Sequence, residues 1–566
     1  MQLPILSEVA KSRDYQIDFK GYNHNMYVNE TQFYDMQNLC ATNYPVMSPR
    51  AARARVRTMG SPNGLHARSK LCWVDNGRFY YDGVQYGGAL TAGEKQIVGM
   101  GTYILIFPDG VRFNVSTKEM DNLSARYEAA GTVKMTLCRA DGSEYGNITT
   151  AEEAPEAAEK GDYWLDTSGD THVLRMYSGD SWVSVATTYV RIEASGIGKG
   201  FAAGDAVEIS GAEIESLNGS RLIDKVEDNS LIMIGIIDQE KTQTGGLVID
   251  RSVPEMDFVC ELNNRIWGCS SEKHEIYACK LGDATNWKAY SGLASDSYAA
   301  TVGSAGDFTG CASFGGQALF FKEDMLHKVM GTKPSNFQIT DVPLRGVQKG
   351  SEKSLCVVNE SLMYKSIESV VVYDGGTPMD VSDALGTGMF YDAAAGVQGD
   401  RYYISMRDEA GAWHMFVFDE AKGMWFREDG THATHFAQLR GQLYYIDSNR
   451  QMMAVRGLHE PGAAVEGAFE WYAETGDMLV NMPDNKYVSR IQIRAGVEKD
   501  ATLKLELQYD SSGEWVTIFE RGYSRKASFT VPIIPARCDH FRMRLSGRGR
   551  SCIYAIGKEI ETGSEL

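Results

Sequence analysis

Seven short segments of this chain share one pattern: an alternating apolar strand, a tight turn carrying Gly or Asn, and a second strand rich in aromatics. They are "LCWVDNGRFYYDG" from Leu71, "IVGMGTYILIFPDG" from Ile97, "FVCELNNRIWGCS" from Phe258, "CASFGGQALFFKE" from Cys311, "LCVVNESLMYKS" from Leu355, "AAGVQGDRYYISM" from Ala394 and "HFAQLRGQLYYID" from His435. Gly and Asn tolerate the positive φ that such hairpin turns require. From Asn264 onward the turns recur every ~40–50 residues, the period of a β-propeller blade. A sheet with two apolar faces is unstable alone, and radial stacking covers both faces. Doublets such as Tyr80-Tyr81, Phe320-Phe321, Tyr402-Tyr403 and Tyr444-Tyr445 suit the filling between blades.

The expected fold is therefore all-β: a β-propeller of six or seven blades, with an inserted small β domain and a C-terminal β-sandwich. Residues 1–60 read as an N-terminal extended segment, 61–127 as the first part of the propeller and 251–457 as its second part. The gap between the hairpins at Gly101 and Asn264 leaves an insertion of roughly 120 residues beyond one blade, placed at 128–250. Within it, Gly161–Val185 and Phe201–Ile237 read as two small β units. The first hairpins, at Asn76 and Gly101, are too close to be one blade apart, so one is half a blade or misassigned. After residue 458 the chain alternates strictly apolar and polar, as in "KYVSRIQIRAGV", which reads as long strands with one buried face.

A length of 566 residues exceeds a single core. The formal charge of -19 argues against wholesale binding to nucleic acid or anionic membranes. The first residues lack a basic segment followed by a long apolar run, and no run approaches a membrane span. Synthesis in a cytosol and no membrane insertion are expected. The ten cysteines form no CxxC pair or Cys/His metal spacing.

No constellation for catalysis stands out. There is no G-x-S-x-G elbow, P-loop or G-x-G-x-x-G after a strand. "GSAGDFTGC", from Gly303, is glycine-rich but lies between propeller strands, where turn chemistry accounts for it. His432 and His435 are three apart without a third ligand. "FDEAKGMW" and "YDSSGEWV" approach the Asp-box hairpins of sialidase-like propellers without the full spacing. No catalytic residue, cofactor or metal is assigned, and the chain is not expected to be an enzyme.

Two sets of residues are candidate contacts. Arg50, Arg53, Arg55 and Arg57 crowd positive charge into an acidic chain. Strand alternation puts Arg53, Arg55 and Arg57 on one face, which could meet DNA phosphates in a lumen or an acidic patch on the next subunit. Trp164 and Trp182 could hold a glycan, although small β modules use such aromatics as core.

Several long stretches resemble bacteriophage virion proteins of the stabilisation or tail-accessory type. They are "DMQNLCATNYPVMSPRAAR", "LRGVQKGSEKSLCVVNESLMYKSIESVVVYDGGTP", "WHMFVFDEAKGMWFRED" and the closing "VPIIPARCDHFRMRLSGRGRSCIYAIGKEIETGSEL". In short-tailed phages, proteins of this kind are similar to tail nozzle or plug components. The resemblance implies a homo-oligomeric ring, with a hexamer expected, below the portal–adaptor complex. It implies retention of packaged DNA, transient contact with that DNA in the ejection conduit, and other tail proteins as partners. The other reading is a carbohydrate-binding or glycan-cleaving propeller acting as a host-receptor module.

Overall fold

The computed structural model describes residues 11–457, 462–479, 485–523 and 527–562. The chain is all-β, with short 3-10 turns as its helical elements among these residues. Seven sheets of at least four strands follow one another, with each sheet's first four members in spatial order. Six run in simple sequence: Pro62–Ala67 to Val84–Tyr86, Gln96–Met100 to Met120–Asn122, Phe258–Leu262 to Tyr298–Thr301, Gly310–Phe314 to Gln338–Pro343, Cys356–Val358 to Met379–Asp380, and Phe390–Gln398 to Met424–Asp429. The seventh is built from Ala433–Leu439, Gln442–Asp447 and Gln451–Ala454, then Ala54–Thr58 from the start of the chain, then Ala464–Val465.

The first strands of successive sheets pack on one another. Pro62–Ala67 meets Gln96–Met100, and contact continues through Phe258–Leu262 to Gly310–Phe314. Gly310–Phe314 meets the turn at Glu352–Ser354, just ahead of the fifth sheet. Cys356–Val358, Phe390–Gln398 and Ala433–Leu439 follow, and the last packs back on Pro62–Ala67. The series of contacts thus returns to its start.

The core lies between neighbouring sheets, and strand alternation explains how. Neighbouring residues of a strand point to opposite faces. In Phe320-Phe321, Phe320 joins the core between the third and fourth sheets, and Phe321 joins that between the fourth and fifth. Tyr81 packs between the first and second sheets, while Tyr80 faces the seventh. These two doublets therefore each serve two interfaces.

The short spacing between Asn76 and Gly101 also has a structural cause. Asn76 turns between the second and third strands of its sheet, Leu71–Asp75 and Arg78–Tyr81. Gly101 turns between the first and second strands of the next. The two hairpins belong to different sheets but to different steps within them.

Between the second and third sheets the chain leaves and returns through a paired neck, Ala125–Glu128 against Val248–Arg251. The neck belongs to an eight-stranded sheet with its own core around Val133, Val190, Leu217 and Ile249. A four-stranded sheet, Ile148–Ala151 to Trp182–Ser184, packs beside it. At the C-terminus, Lys486–Val497 and Ser551–Thr562 anchor one sheet, while Ala501–Tyr509 and Phe541–Arg548 anchor a second. The alternation of Lys486–Val497 buries Val488, Ile491, Ile493 and Ala495, which join the core shared with the second sheet.

Residues 11–58 do not lie apart as a lead-in. Lys11–Gln16 pairs with the final strand, Ser551–Thr562, and Asp35–Gln37 pairs with Glu470–Glu474. Lys558 on the final strand is fully buried at its side chain and meets Asp14 at 3.1 Å and Glu30 at 2.7 Å. Between these strands the chain crosses the sixth sheet, where the Tyr22 N–H donates to the Trp425 carbonyl at 2.7 Å. Gly21 has φ +83, and a Cβ there would stand 2.5 Å from that same carbonyl, so the crossing requires glycine.

Candidate functional site

Two places gather charged side chains from distant parts of the chain: a clasp at the N-terminal arginines and a pocket where the seven first strands meet.

Four arginines that are close in sequence are divided by the structure. Arg50 and Arg53 are each 5% exposed, whereas Arg55 and Arg57 are exposed. Arg50 forks onto Glu466, with one bond of 2.7 Å and a second of 3.0 Å, and its Nε donates to the Asn38 side chain at 2.8 Å. Arg53 donates to Glu428 at 2.6 Å and to Asp429 at 2.8 Å. Glu428 and Asp429 end the sixth sheet, and Glu466 follows the strand that edges the seventh. The cluster therefore ties the N-terminal segment, two sheets and the approach to the sandwich together.

Burial alone would disfavour these charges. For Asp429 that effect is outweighed by Arg53, by the Thr431 hydroxyl and by Arg50, and the carboxyl stays below its ordinary range. Glu466 is held low in the same way by Arg50. Arg53 is raised because Tyr445, Asp429 and Glu428 together exceed its desolvation.

The expected single arginine face does not form, for two reasons. Arg53 precedes the strand Ala54–Thr58 and turns inward to its carboxylates. Within the strand, a register shift between Met452 and Met453 places a bulge opposite Val56. Arg57 lies over the Trp73 ring at 4.8 Å, while Arg55 faces solvent. Arg50 and Arg53 thus offer no surface to phosphate or to a second subunit.

The pocket has a volume of about 330 Å³ and takes residues from all seven sheets or the turns before them. Leu65, Ile97, Val259, Cys311, Cys356, Ala395 and Phe436 line its wall. Its polar side is Glu94, Lys353 and His435, which arrive from three separate stretches of chain. Glu94 Oε1 is 2.5 Å from His435 Nε2 and 2.9 Å from Lys353 Nζ, while His435 Nδ1 lies 2.9 Å from the Thr434 hydroxyl. Burial would raise Glu94, but His435 and Lys353 outweigh it and hold the carboxyl below its usual value. Burial lowers His435, with Glu94 opposing. Desolvation pushes the Cys356 thiol up to about 12, so it is no ready nucleophile. Glu94, Lys353 and His435 satisfy one another, and the pocket offers a polar, ligand-sized hollow rather than an unpaired base.

Sequence reading found neither Glu94 nor Lys353, because nothing local pairs residues so far apart. His435 was visible beside His432, but the two diverge: His432 stacks on Trp413 with ring centres 3.4 Å apart. No group of three or more His, Cys, Asp or Glu able to hold a metal occurs among the described residues.

Trp164 is 7% exposed and donates its indole N–H to the Ala151 carbonyl. Trp182 is half-buried and meets Trp164 edge-on at 5.6 Å. Trp164 therefore presents no open face for a sugar, and the two rings pack on each other on the four-stranded sheet. In "FDEAKGMW", Asp419 pairs with Lys422 three residues on, and Trp425 is core, bonded to the Val381 carbonyl. The hairpin is structural.

No family model matches the chain, and no curated protein matches it. Among solved structures it is similar to an exo-beta-1,3-galactanase from Phanerochaete chrysosporium at 7% identity, with 53% of this chain and 94% of that one covered and a TM-score of 0.21. It is similar to Chaetomium thermophilum Raptor at 9% identity, with 74% and 29% covered and a TM-score of 0.30. It is similar to the phage phi92 endosialidase at 9% identity, with 73% and 63% covered and a TM-score of 0.22. Likenesses at this level carry no argument about activity.

Proposed function

We propose that the seven sheets are the blades of a seven-bladed β-propeller, closed by the strand Ala54–Thr58, and that the chain is a structural subunit of a bacteriophage tail. In this reading copies assemble as a ring below the portal–adaptor complex, retain packaged DNA and form the conduit for its ejection. The observation that carries it is the use of residues 11–58. They add strands to both sandwich sheets and to the seventh sheet, they bury Arg50 and Arg53 at the joints, and they supply Asp14 and Glu30 to the buried Lys558. Such a segment stiffens a body that bears load. The stretches that resemble tail-accessory proteins support the same reading.

A pocket of about 330 Å³ holds a small ligand, not a duplex. The conduit therefore lies between subunits and not along a propeller axis. A net charge of -19 suits a wall past which DNA slides without sticking. Arg55 and Arg57 remain exposed for a neighbouring subunit or for phosphate.

Antibody labelling of purified virions, viewed by negative-stain electron microscopy, tests the location. Label at the tail vertex below the capsid is expected. Virions without label, or label confined to fibre tips, would contradict the reading.

A further inference from the structure

Beyond any part in assembly, we infer that Ser304, His327 and Asp341 form a working hydrolytic centre for carboxylic esters with short acyl groups. His327 and Asp341 are direct cross-strand partners on the third and fourth strands of the fourth sheet, which sets their side chains together. His327 Nδ1 is 2.6 Å from Asp341 Oδ1, and Ser304 Oγ is 2.8 Å from His327 Nε2. A carboxylate oxygen at that distance places the imidazole proton on Nδ1. Nε2 is then the acceptor for the serine hydroxyl, which is the arrangement of nucleophile, base and orienting acid. The His327 side chain is fully buried and meets the Phe308 ring edge-on at 5.9 Å, so its position is fixed. Ser304 is half-buried and sits in an otherwise open loop.

A second feature of the loop points the same way. Buried Lys322 donates to the Ser304 carbonyl at 2.8 Å and to the Ala305 carbonyl at 3.1 Å. A trans peptide holds its C=O and N–H antiparallel. Turning both carbonyls onto Lys322 therefore turns the N–H groups of Ala305 and Gly306 the other way. Neither N–H makes a hydrogen bond among the described residues. Two free donors beside a nucleophile are what an oxyanion requires. Gly303, Ala305 and Gly306 are exposed, with open space at both glycines, and leave room for a small acyl group.

In the reaction, Ser304 Oγ adds to the ester carbonyl carbon as its proton passes to His327 Nε2. The oxyanion is met by the two N–H groups. Collapse breaks the bond to the alcohol oxygen, which takes the proton from His327. Water then attacks the acyl-serine by the same route, releasing the carboxylic acid and restoring the hydroxyl. Ester and water become acid and alcohol, with no other reactant. His327 and Ser304 touch the reacting atoms, and Asp341 is a positioning residue.

A second contact of the same kind, Ser511 to His540 to Asp539, serves as a control. There the acid adjoins the histidine in sequence, the distances are 2.8 and 3.1 Å, and the histidine side chain is partly exposed where that of His327 is fully buried; both acids are about half exposed. The test is to treat the full chain with a fluorophosphonate probe and map the labelled peptide, alongside hydrolysis of p-nitrophenyl acetate. Label on Ser304 of the wild-type chain is expected, lost in Ser304→Ala and kept in Ser511→Ala. Asp341→Asn should slow ester hydrolysis about 100-fold or more, as a fall in kcat with KM little changed, since Asp341 orients His327 and does not touch the ester. The peptide map of the wild-type chain decides the matter even if a variant fails to fold. An unlabelled wild-type chain, label on another serine, or hydrolysis no faster than buffer would overturn the assignment.

Discussion

Replacing Arg53 with alanine is expected to destabilise the chain by about 3–5 kcal/mol, because it strips the partner from a buried carboxylate. Glu428 is 3% exposed, and its 2.6 Å bond to Arg53 is the shortest in the cluster. Arg50 approaches the same carboxylate no closer than 3.8 Å, so it does not replace the lost partner. Asp429 would also lose its nearest guanidinium. Arg55→Ala, at an exposed side chain, should change stability by no more than about 0.5 kcal/mol. Urea unfolding of both variants at neutral pH checks the pair. Equal effects would mean that the buried cluster does not hold the N-terminal segment in place.

Removing residues 1–60 is expected to abolish cooperative folding altogether. The loss is not that of a loose arm. Ala54–Thr58 is an inner strand of the seventh sheet, hydrogen-bonded to Gln451–Ala454 on one side and to Ala464–Val465 on the other. Its removal opens the sheet that packs on Pro62–Ala67, and the deletion leaves buried Glu428 without Arg53 and buried Lys558 without Asp14 and Glu30. Each orphaned buried charge costs several kcal/mol against a total stability of about 5–15 kcal/mol. Excision of the insertion makes the contrast. Its neck strands pair with each other, and its core is separate. Replacing residues 125–251 with a short flexible linker should leave a soluble chain with a sharp thermal transition. Circular dichroism melts of the two deletions distinguish them. An N-terminal deletion that still unfolds cooperatively would show that the sheets close without their borrowed strand.

Much of the hairpin series was legible because its signals are local. Alternation, a Gly or Asn turn and an aromatic doublet lie within a dozen residues, and Tyr80-Tyr81 and Phe320-Phe321 each fill two neighbouring interfaces. Phe201–Ile237, read as a small β unit, holds the strands Ala206–Ser210, Gly219–Glu227 and Ser230–Ile234. What was illegible depends on distant partners. Nothing near Arg53 announces Glu428, and alternation cannot foresee the bulge opposite Val56. Asn76 was placed at the wrong step of its sheet because second and first turns carry the same residues. Glu94, Lys353 and His435 meet only when the first strands converge. His327 and Asp341 lie across one hairpin, and a reading of the Met325–Pro343 register would have paired them. Ser304 would still have passed as turn chemistry, since its partner lies on another strand.

Mass photometry of the purified chain, alone and mixed with the candidate adaptor ring, tests the tail-conduit reading most directly. The account predicts a discrete species of several copies, formed alone or on the adaptor, and its weakening when exposed Arg55 and Arg57 are both changed to glutamate. A persistent monomer indifferent to the adaptor would contradict it.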